Sequence, residues 1–303
     1  MDISIIPEIR QSDIGLMGNT FTKYKTSSIG LLRAVGGDDA LMSIEDPIKS
    51  GRVKKENFLG AVLDHENKQF RVYTNDMLIN RYARDSVNVA KSFDKLCEAQ
   101  MKKISELYSK SVYYIGDGFV RSVKNSDEIG VECGKLLMNA MQTITASVEL
   151  LRNGYILQPG MLLRSIVETF SLISYILLEP TAFNEFKGGK IDINSTIKYG
   201  KKVFPPLGEF QGLLSNNFVH ISHLHSEFNI ITVYEEMIEP LDINLGMIKN
   251  AVWMLYIITE LVYYNYFDEH LFWDKKSKHE FVFKGKEGAD TWMKDFFDKG
   301  GQK

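Results

Sequence analysis

The chain has 303 residues, of which 44% are apolar and 25% are charged, so it can bury a core and is not expected to be disordered. Its 36 lysines and arginines nearly balance its 39 aspartates and glutamates. This balance argues against a protein dedicated to duplex DNA, because such proteins carry a large basic excess. Two cysteines are too few for a disulfide framework and indicate a reducing compartment, so we expect a cytoplasmic protein.

The first 75 residues form a predicted N-terminal appendage of mixed character. Residues 59–63 and the alternating residues 69–74 are typical of two strands, so a small β-hairpin is expected within this irregular region. Asp2 lies where a secretory signal would carry basic residues, so no such signal is predicted.

From residue 76 the apolar residues recur close to the helical period, which predicts an all-α helical bundle over residues 76–270. A first long helix is expected to begin after Asp76 and to end near Ser109. The dipeptide Asp117–Gly118 is typical of a loop.

A helical hairpin is predicted at the centre of the bundle. One helix is expected over residues 131–153 and ends at Asn153–Gly154, and Pro159 suits the first turn of the next helix. Only 14% of residues 131–180 are charged, against 25% of the chain. Such depletion indicates that this hairpin lies in the core.

The last long helix, predicted over residues 242–268, approaches the length and hydropathy of a membrane span. Glu260 interrupts it, so a buried bundle helix is favoured over a membrane helix. Residues 271–303 are predicted to form a polar C-terminal tail, with a strand-like stretch at 281–283 and a short amphipathic end at 289–297.

Two polar stripes face each other in the predicted hairpin. The first helix contributes Gln142, Thr145, Glu149 and Arg152. The second contributes Met161, Arg164, Glu168, Ser171 and Tyr175. Antiparallel packing about residues 156–157 predicts that Glu149 lies opposite Arg164 and that Thr145 lies opposite Glu168.

Two interpretations of this polar cluster are open. Its charges can form a buried ion-pair network that holds the helices in register, because a buried guanidinium needs a carboxylate partner. Alternatively, Arg164 and Glu168 line a pocket for an anionic or nucleotide ligand, with Glu149 and Tyr175 as further ligand-binding candidates.

Three of the six histidines lie between residues 220 and 225. His220 is a candidate acid–base or phosphate-contacting residue, because imidazole titrates near neutrality. Ser215 and Asn216, a few residues earlier, are candidates for ligand contacts. A metal site built on His220, His223 and Glu227 is an alternative, although the spacing matches no strong zinc pattern.

We expect His220, Arg164 and Glu168 to form one catalytic or binding site with no metal and no other cofactor. The sequence lacks the nucleophile elbow G-x-S-x-G, the phosphate loop G-x-x-x-x-G-K-[ST], the zinc motif H-E-x-x-H and any C-x-x-C pair. Cys97 and Cys133 are expected to be buried rather than nucleophilic.

Three motifs carry a family resemblance: LLRNG at 150–154, LLRSIVE at 162–168 and LSNNFVH at 214–220. They resemble a widespread uncharacterised bacterial helical family, which has an LLRSLxE-like motif after a short turn and a later S-x-x-V/F-H motif. The resemblance covers about residues 130–270. It implies an all-α core and links Arg164, Glu168 and His220 as the site.

This family is similar to the broader HEPN-type helical superfamily of nucleotide-binding proteins, which includes toxin and antiphage ribonucleases. In those enzymes an R-x(4–6)-H motif supplies catalysis, whereas no arginine of this chain is followed by a histidine at that spacing. A ribonuclease built on this chain therefore needs His220 to reach Arg164 from another helix.

The favoured interpretation is a cytoplasmic binding or interaction module, and the resemblance implies a bacterial stress or phage-response setting. One alternative is a metal-independent ribonuclease or nucleotide-acting enzyme, in which His220 is the acid–base and Arg164 stabilises phosphate charge. Another is a metal-dependent hydrolase. The expected partner is a small molecule, an RNA or a protein, with a homo-oligomer as a further expectation. Neither duplex DNA nor a membrane is expected.

Overall fold

The computed structural model of the protein describes residues 22–24, 55–64, 69–80, 86–220 and 233–284. These residues form helices with two small antiparallel sheets, which confirms the predicted all-α class with a small β-hairpin. The chain divides into two compact units between Asp85 and Ser86.

The first unit contains a three-stranded antiparallel sheet in the order β1–β2–β3. Its strands are β1 (Thr22–Tyr24), β2 (Phe58–Asp64) and β3 (Gln69–Thr74). Strands β2 and β3 are the predicted hairpin, in which Ala61 pairs with Val72. A short helix, α1 (Met77–Asn80), follows the sheet.

The second unit contains the helical bundle. The structure describes helices α2 (Ser86–Leu96), α3 (Glu98–Lys124), α4 (Glu128–Arg152), α5 (Gln158–Leu178), α6 (Ala182–Lys187), α7 (Ile193–Val203), α8 (Pro206–Leu214) and α9 (Glu239–Val262). A π-helical turn (Ser215–Val219) continues α8. Strands β4 (Trp273–Ser277) and β5 (Glu280–Phe283) form a hairpin after α9.

In the central hairpin, helix α4 ends and helix α5 begins where the sequence predicts. Gly154 adopts a φ of 86°, a left-handed conformation that glycine tolerates at a helix end. The N–H of Tyr155 donates to the carbonyl of Leu150 at 3.0 Å and closes the cap of α4. Pro159 lies in the first turn of α5.

The loop predicted at Asp117–Gly118 is wrong, because both residues lie inside α3. Gly118 is needed for close packing between helices and not for a turn. A Cβ at Gly118 would overlap the ring of Tyr263, which is fully buried against this helix. The single helix predicted to end near Ser109 is also wrong, since a break at Cys97 separates α2 from α3.

Two of the described helices are long and apolar enough to cross a membrane by length and composition alone. The mean hydropathy of the most apolar window is 1.6 in α5 and 1.4 in α9. Half of that window in α5 and 78% of it in α9 are buried inside the protein. Core helices of a bundle pass the same test, and the burial of α9 favours that role.

Glu260 lies inside the apolar helix α9 and holds the segment that follows it. It is 4% exposed. Its Oε1 accepts the backbone N–H groups of Phe272 at 2.9 Å and Trp273 at 3.1 Å, and its Oε2 accepts that of Leu271 at 3.1 Å. Phe272 and Trp273 are fully buried, so the bundle core continues beyond residue 270 into the segment predicted as a tail.

We expect the stability of the protein to report the titration of Glu260. Burial raises the pKa of this carboxyl above its ordinary 4.5, and the three N–H groups oppose that rise. At a pH between the pKa of Glu260 in the unfolded protein and its higher pKa in the folded protein, the folded state therefore binds more protons than the unfolded state. The free energy of unfolding should fall as pH rises through the window above 4.5, by at most about 1.4 kcal/mol per pH unit. Denaturant titrations at several pH values should show this slope in the wild type and not in Glu260→Gln; equal slopes would contradict it.

Candidate functional site

Arg164 and Glu168 lie one turn apart on α5 and form an ion pair along the helix. Nη1 of Arg164 is 3.4 Å from Oε1 of Glu168, and the two side chains are 21% and 40% exposed. That contact does not have hydrogen-bond geometry, and Nη1 is buried without a hydrogen-bond partner. The guanidinium therefore retains a donor that the described residues do not satisfy.

The predicted ion pair between Glu149 and Arg164 is wrong. Oε2 of Glu149 lies 3.7 Å from Nη1 of Arg152 on its own helix. Arg152 also makes two 2.7 Å hydrogen bonds to the carboxylate of Asp94 on α2. Glu149 is exposed and belongs to this α2–α4 cluster, so its predicted place in the pocket of Arg164 is not supported.

The predicted pairing of Thr145 with Glu168 is also wrong, because the register of α4 against α5 differs from the expected one. The Thr145 hydroxyl lies 2.9 Å from that of Tyr108 on α3. The Ser147 hydroxyl reaches the carbonyl of Pro159 at 3.4 Å, whereas the predicted register places it about two turns further along α5. A turn position alone does not determine how two helices slide and cross, which depends on how their side chains interlock.

The π-helical turn packs against α5 one turn before Arg164. The ring of Phe218 covers Gly160, where a Cβ would lie closer than 3.0 Å to the ring. Gly160 and Arg164 are four residues apart and therefore share a face of α5. The structure thus brings the segment that carries His220 to the end of α5 that carries Arg164.

The three candidates on this segment differ in their surroundings. Ser215 is half-buried, and its carbonyl accepts the backbone N–H of His220 at 3.2 Å. Asn216 and His220 are exposed. Among the described residues no side chain is hydrogen-bonded to the imidazole of His220, so the structure shows no partner that would orient it as an acid or a base.

Helix α8 contributes a residue that the sequence did not single out. Gln211 has a buried Oε1 without a hydrogen-bond partner. Gly200 of α7 lies against Ser171, and Phe218, further along the chain, lies against Gly160. Residues 200–218 therefore run antiparallel to α5. Gln211 lies on this returning segment, seven residues before Phe218. Phe210 and Gly212 flank it, and no motif in this stretch of the sequence singles it out.

Tyr175 is engaged at the other end of α5. Its hydroxyl donates to Oε2 of Glu185 at 3.0 Å, and this hydrogen bond raises the pKa of the phenol. Its ring meets that of Tyr199 edge-to-face with 5.2 Å between the centroids. Eleven residues separate it from Arg164, about 16 Å along a helix. Tyr175 therefore lies outside the site around Arg164.

No group of three or more metal-ligating side chains lies within the parts of the chain that the structure describes. His223 and Glu227, which the metal-site alternative requires, lie outside those parts. The described arrangement offers a guanidinium with a spare donor, a neighbouring carboxylate and an exposed imidazole. This set can bind the oxygens of an anionic group.

Comparison with known proteins gives one short similarity. No family model and no solved structure matches the chain. Over 77 residues the chain is 39% identical to the CCR4-NOT transcriptional complex subunit CAF120 of Saccharomyces cerevisiae, in each of two strains. The match covers 25% of this chain and 7% of that subunit, so the chain is similar to a small part of a much longer protein.

Proposed function

We propose that this protein is a non-catalytic, cytoplasmic binding module that holds an anionic group, a phosphate or a carboxylate, against Arg164. The observation that carries the proposal is the buried Nη1 of Arg164, which has no hydrogen-bond partner. A buried guanidinium donor left unsatisfied costs about 1–3 kcal/mol or more. The side chain is 21% exposed, so an oxyanion can contact it from solvent, and a small rotation that brings Nη1 to this oxyanion removes that cost.

The surroundings of Arg164 support binding more than catalysis. Glu168 is close enough to hold the guanidinium in place but too far for a good hydrogen bond. His220 is exposed, and within the parts of the chain that the structure describes no carboxylate is hydrogen-bonded to its ring. The bacterial stress or phage-response setting implied by the family resemblance is part of the same proposal.

A metal-independent ribonuclease is the second candidate, and one observation favours it. The contact between Phe218 and Gly160 brings the segment that carries His220 within about one helical turn of Arg164. Cleavage of RNA in the presence of a chelator, lost in His220→Ala, would replace the binding proposal with this one.

We expect Arg164→Gln to weaken phosphate binding about tenfold to a hundredfold, because a charge-assisted hydrogen bond is lost. The measurement is calorimetric titration of the full chain with inorganic phosphate and with adenosine monophosphate. Arg121→Gln is the matched control, since Arg121 forms a similar pair with Asp117 one turn away on α3, at 2.8 Å.

The control should bind phosphate as the wild type does, and both variants should retain helical circular dichroism. Absence of phosphate binding by the wild type would refute the proposal. So would an equal loss of binding in the two variants, which would indicate a general charge effect.

A further inference from the structure

Helix α3 carries a second apolar stripe on the side that faces solvent, away from the bundle. Its core side is formed by buried residues between Ile104 and Ser122. Three residues of the solvent-facing side are largely exposed, since Tyr113 is 66%, Val120 49% and Val123 55% accessible. The whole set, here called the apolar stripe, consists of Val112, Tyr113, Gly116, Phe119, Val120 and Val123. Single exposed apolar residues are common, but a row of them along one helix marks a surface that another element can cover.

The spacing of the apolar stripe is typical of a helix that packs against another helix. Tyr113, Gly116, Val120 and Val123 recur at intervals of three, four and three residues, which places them in one line along the helix. A Cβ at Gly116 would meet nothing within 4 Å, so the surface over this glycine is open. The stripe therefore combines a bulky exposed ring at Tyr113 with an open position about one turn further on.

These two positions fit each other in a second copy of the chain. When two α3 helices pack antiparallel about a two-fold axis between residues 114 and 115, Tyr113 of each copy lies on Gly116 of the other. The same arrangement places Val112 beside Phe119 of the second copy. Each exposed apolar side chain near the axis thus meets an open or an apolar position.

A row of charges runs beside the apolar stripe and has the order that antiparallel packing requires. Its members, at intervals of four, seven and four residues, are Glu106, Lys110, Asp117 and Arg121. Read in the opposite direction, the row has the opposite sign at every position. An antiparallel second copy therefore places Lys110 beside Asp117 and Glu106 beside Arg121, each twice. In a parallel copy the row would instead face the apolar side chains at 112 and 119.

The charges of this row are accessible for such contacts. Asp117 and Arg121 form an ion pair at 2.8 Å within the helix, and their side chains are 33% and 50% exposed. Glu106 and Lys110 are exposed, and neither forms an ion pair with another residue that the structure describes. A second copy would supply a partner to each of them and would extend the existing pair into a network.

We propose that the protein forms an antiparallel two-fold homodimer through the apolar stripe of α3 and the charged row beside it. Two features limit its strength. Lys103 of one copy falls opposite Lys124 of the other at the ends of the helices, where like charges repel. One helix from each copy also makes a contact below the standard interface of about 1,600 Å², so we expect a dissociation constant of about 10–100 µM. Anion binding at Arg164 on α5 does not depend on this dimer.

The test is sedimentation velocity of the full chain over a concentration series from about 1 to 500 µM, which spans the expected dissociation constant. The wild type should shift reversibly from monomer to dimer. Tyr113→Glu should weaken the dimer at least tenfold, because it places a charge in the apolar contact. Leu213→Glu is the matched control, since Leu213 is 48% exposed on α8, outside the stripe, and should leave the dissociation constant unchanged.

Gly116→Leu separates a fitted contact from general apolar adhesion. Leucine has room in the single copy and favours a helix more than glycine does, so the monomer should keep its stability. Its side chain occupies the space that Tyr113 of the second copy needs, so the dimer should weaken about tenfold. General adhesion would strengthen the dimer instead, because leucine adds apolar surface.

Lys110→Glu and Asp117→Lys test the relative direction of the two helices. Each variant alone should dimerise about tenfold more weakly than the wild type, because each sets two pairs of like charges against each other. An equimolar mixture of the two should recover the affinity of the wild type. In the mixed dimer every substituted position faces a residue of opposite charge, which holds only for antiparallel helices.

Three results would overturn the proposal. One is a wild type that stays monomeric up to about 500 µM. Another is a Gly116→Leu dimer tighter than that of the wild type, and the third is a mixture of the charge variants that associates no better than its components. If the wild type stays monomeric, co-sedimentation with phosphatidylglycerol vesicles, lost in Tyr113→Glu, would assign the stripe to a membrane surface instead.

Discussion

Glu260→Ala should lower the free energy of unfolding by about 3–5 kcal/mol, since three hydrogen bonds to a buried carboxylate are lost together. Each hydrogen bond to a charged group contributes about 1.5–3 kcal/mol, but water can enter the space that alanine leaves and recover part of the loss. Phe272 and Trp273 are fully buried, and the N–H groups of both donate to Oε1 of Glu260.

The measurement is urea denaturation followed by tryptophan fluorescence. Trp273 is fully buried and its indole N–H donates to the carbonyl of Ile257 at 2.9 Å, so detachment of this segment should shift the emission to the red. Glu260→Gln should be intermediate. Its amide oxygen can accept two N–H groups, but its amide nitrogen faces the N–H of Leu271 as a second donor.

Glu269→Ala is the control for this experiment, because Glu269 is exposed on the segment that follows the same helix. Its stability should stay within about 0.5 kcal/mol of the wild type. If Glu260→Ala were as stable as Glu269→Ala, the carboxylate would not hold the start of β4.

Gly160→Ala should destabilise the fold by about 1–3 kcal/mol and weaken phosphate binding at Arg164. The added methyl group would overlap the ring of Phe218, which is buried and has little room to move. The π-helical turn would have to leave α5, and the surface beside the guanidinium would change with it. Calorimetric phosphate titration and denaturant unfolding measure the two effects.

Gly212→Ala is the matched control for the same substitution in a helix. A Cβ at Gly212 would meet nothing within 4 Å, so alanine should stabilise α8 by about 0.5–1 kcal/mol. The two substitutions should therefore change the free energy of unfolding in opposite directions. A Gly160→Ala protein as stable as the wild type would show that the turn is not packed on α5 in this way.

Local signals in the sequence were sufficient to predict several elements of the fold. Gly154 and Pro159 mark the end of α4 and the start of α5, because their backbone preferences operate without help from distant residues. The alternation in residues 69–74 indicates a strand that the structure confirms as β3. Arg164 and Glu168 were paired correctly as neighbours on one helical face, since four residues make one turn.

Other features had no local signal. Gly118 looks like a turn residue in sequence, but its role depends on Tyr263, which lies 145 positions later and packs on it. The ring of Tyr114 packs on the rings of Tyr256 and Phe267, although more than 140 positions separate it from either residue in the sequence. Glu260 stood out as a charge in an apolar helix, but its partners come from residues 271–273.

The amino-acid sequence alone determined the fold class, the ends of the central helices and which charged residues lie within the helices of the bundle. These properties depend on periodicity, on caps and on composition, which act over a few residues. Only the tertiary structure decided that Glu149 and Tyr175 have partners of their own and that Arg164 keeps a spare donor. Those outcomes depend on how helices slide and cross, and that is set by the interlocking of side chains far apart in the chain.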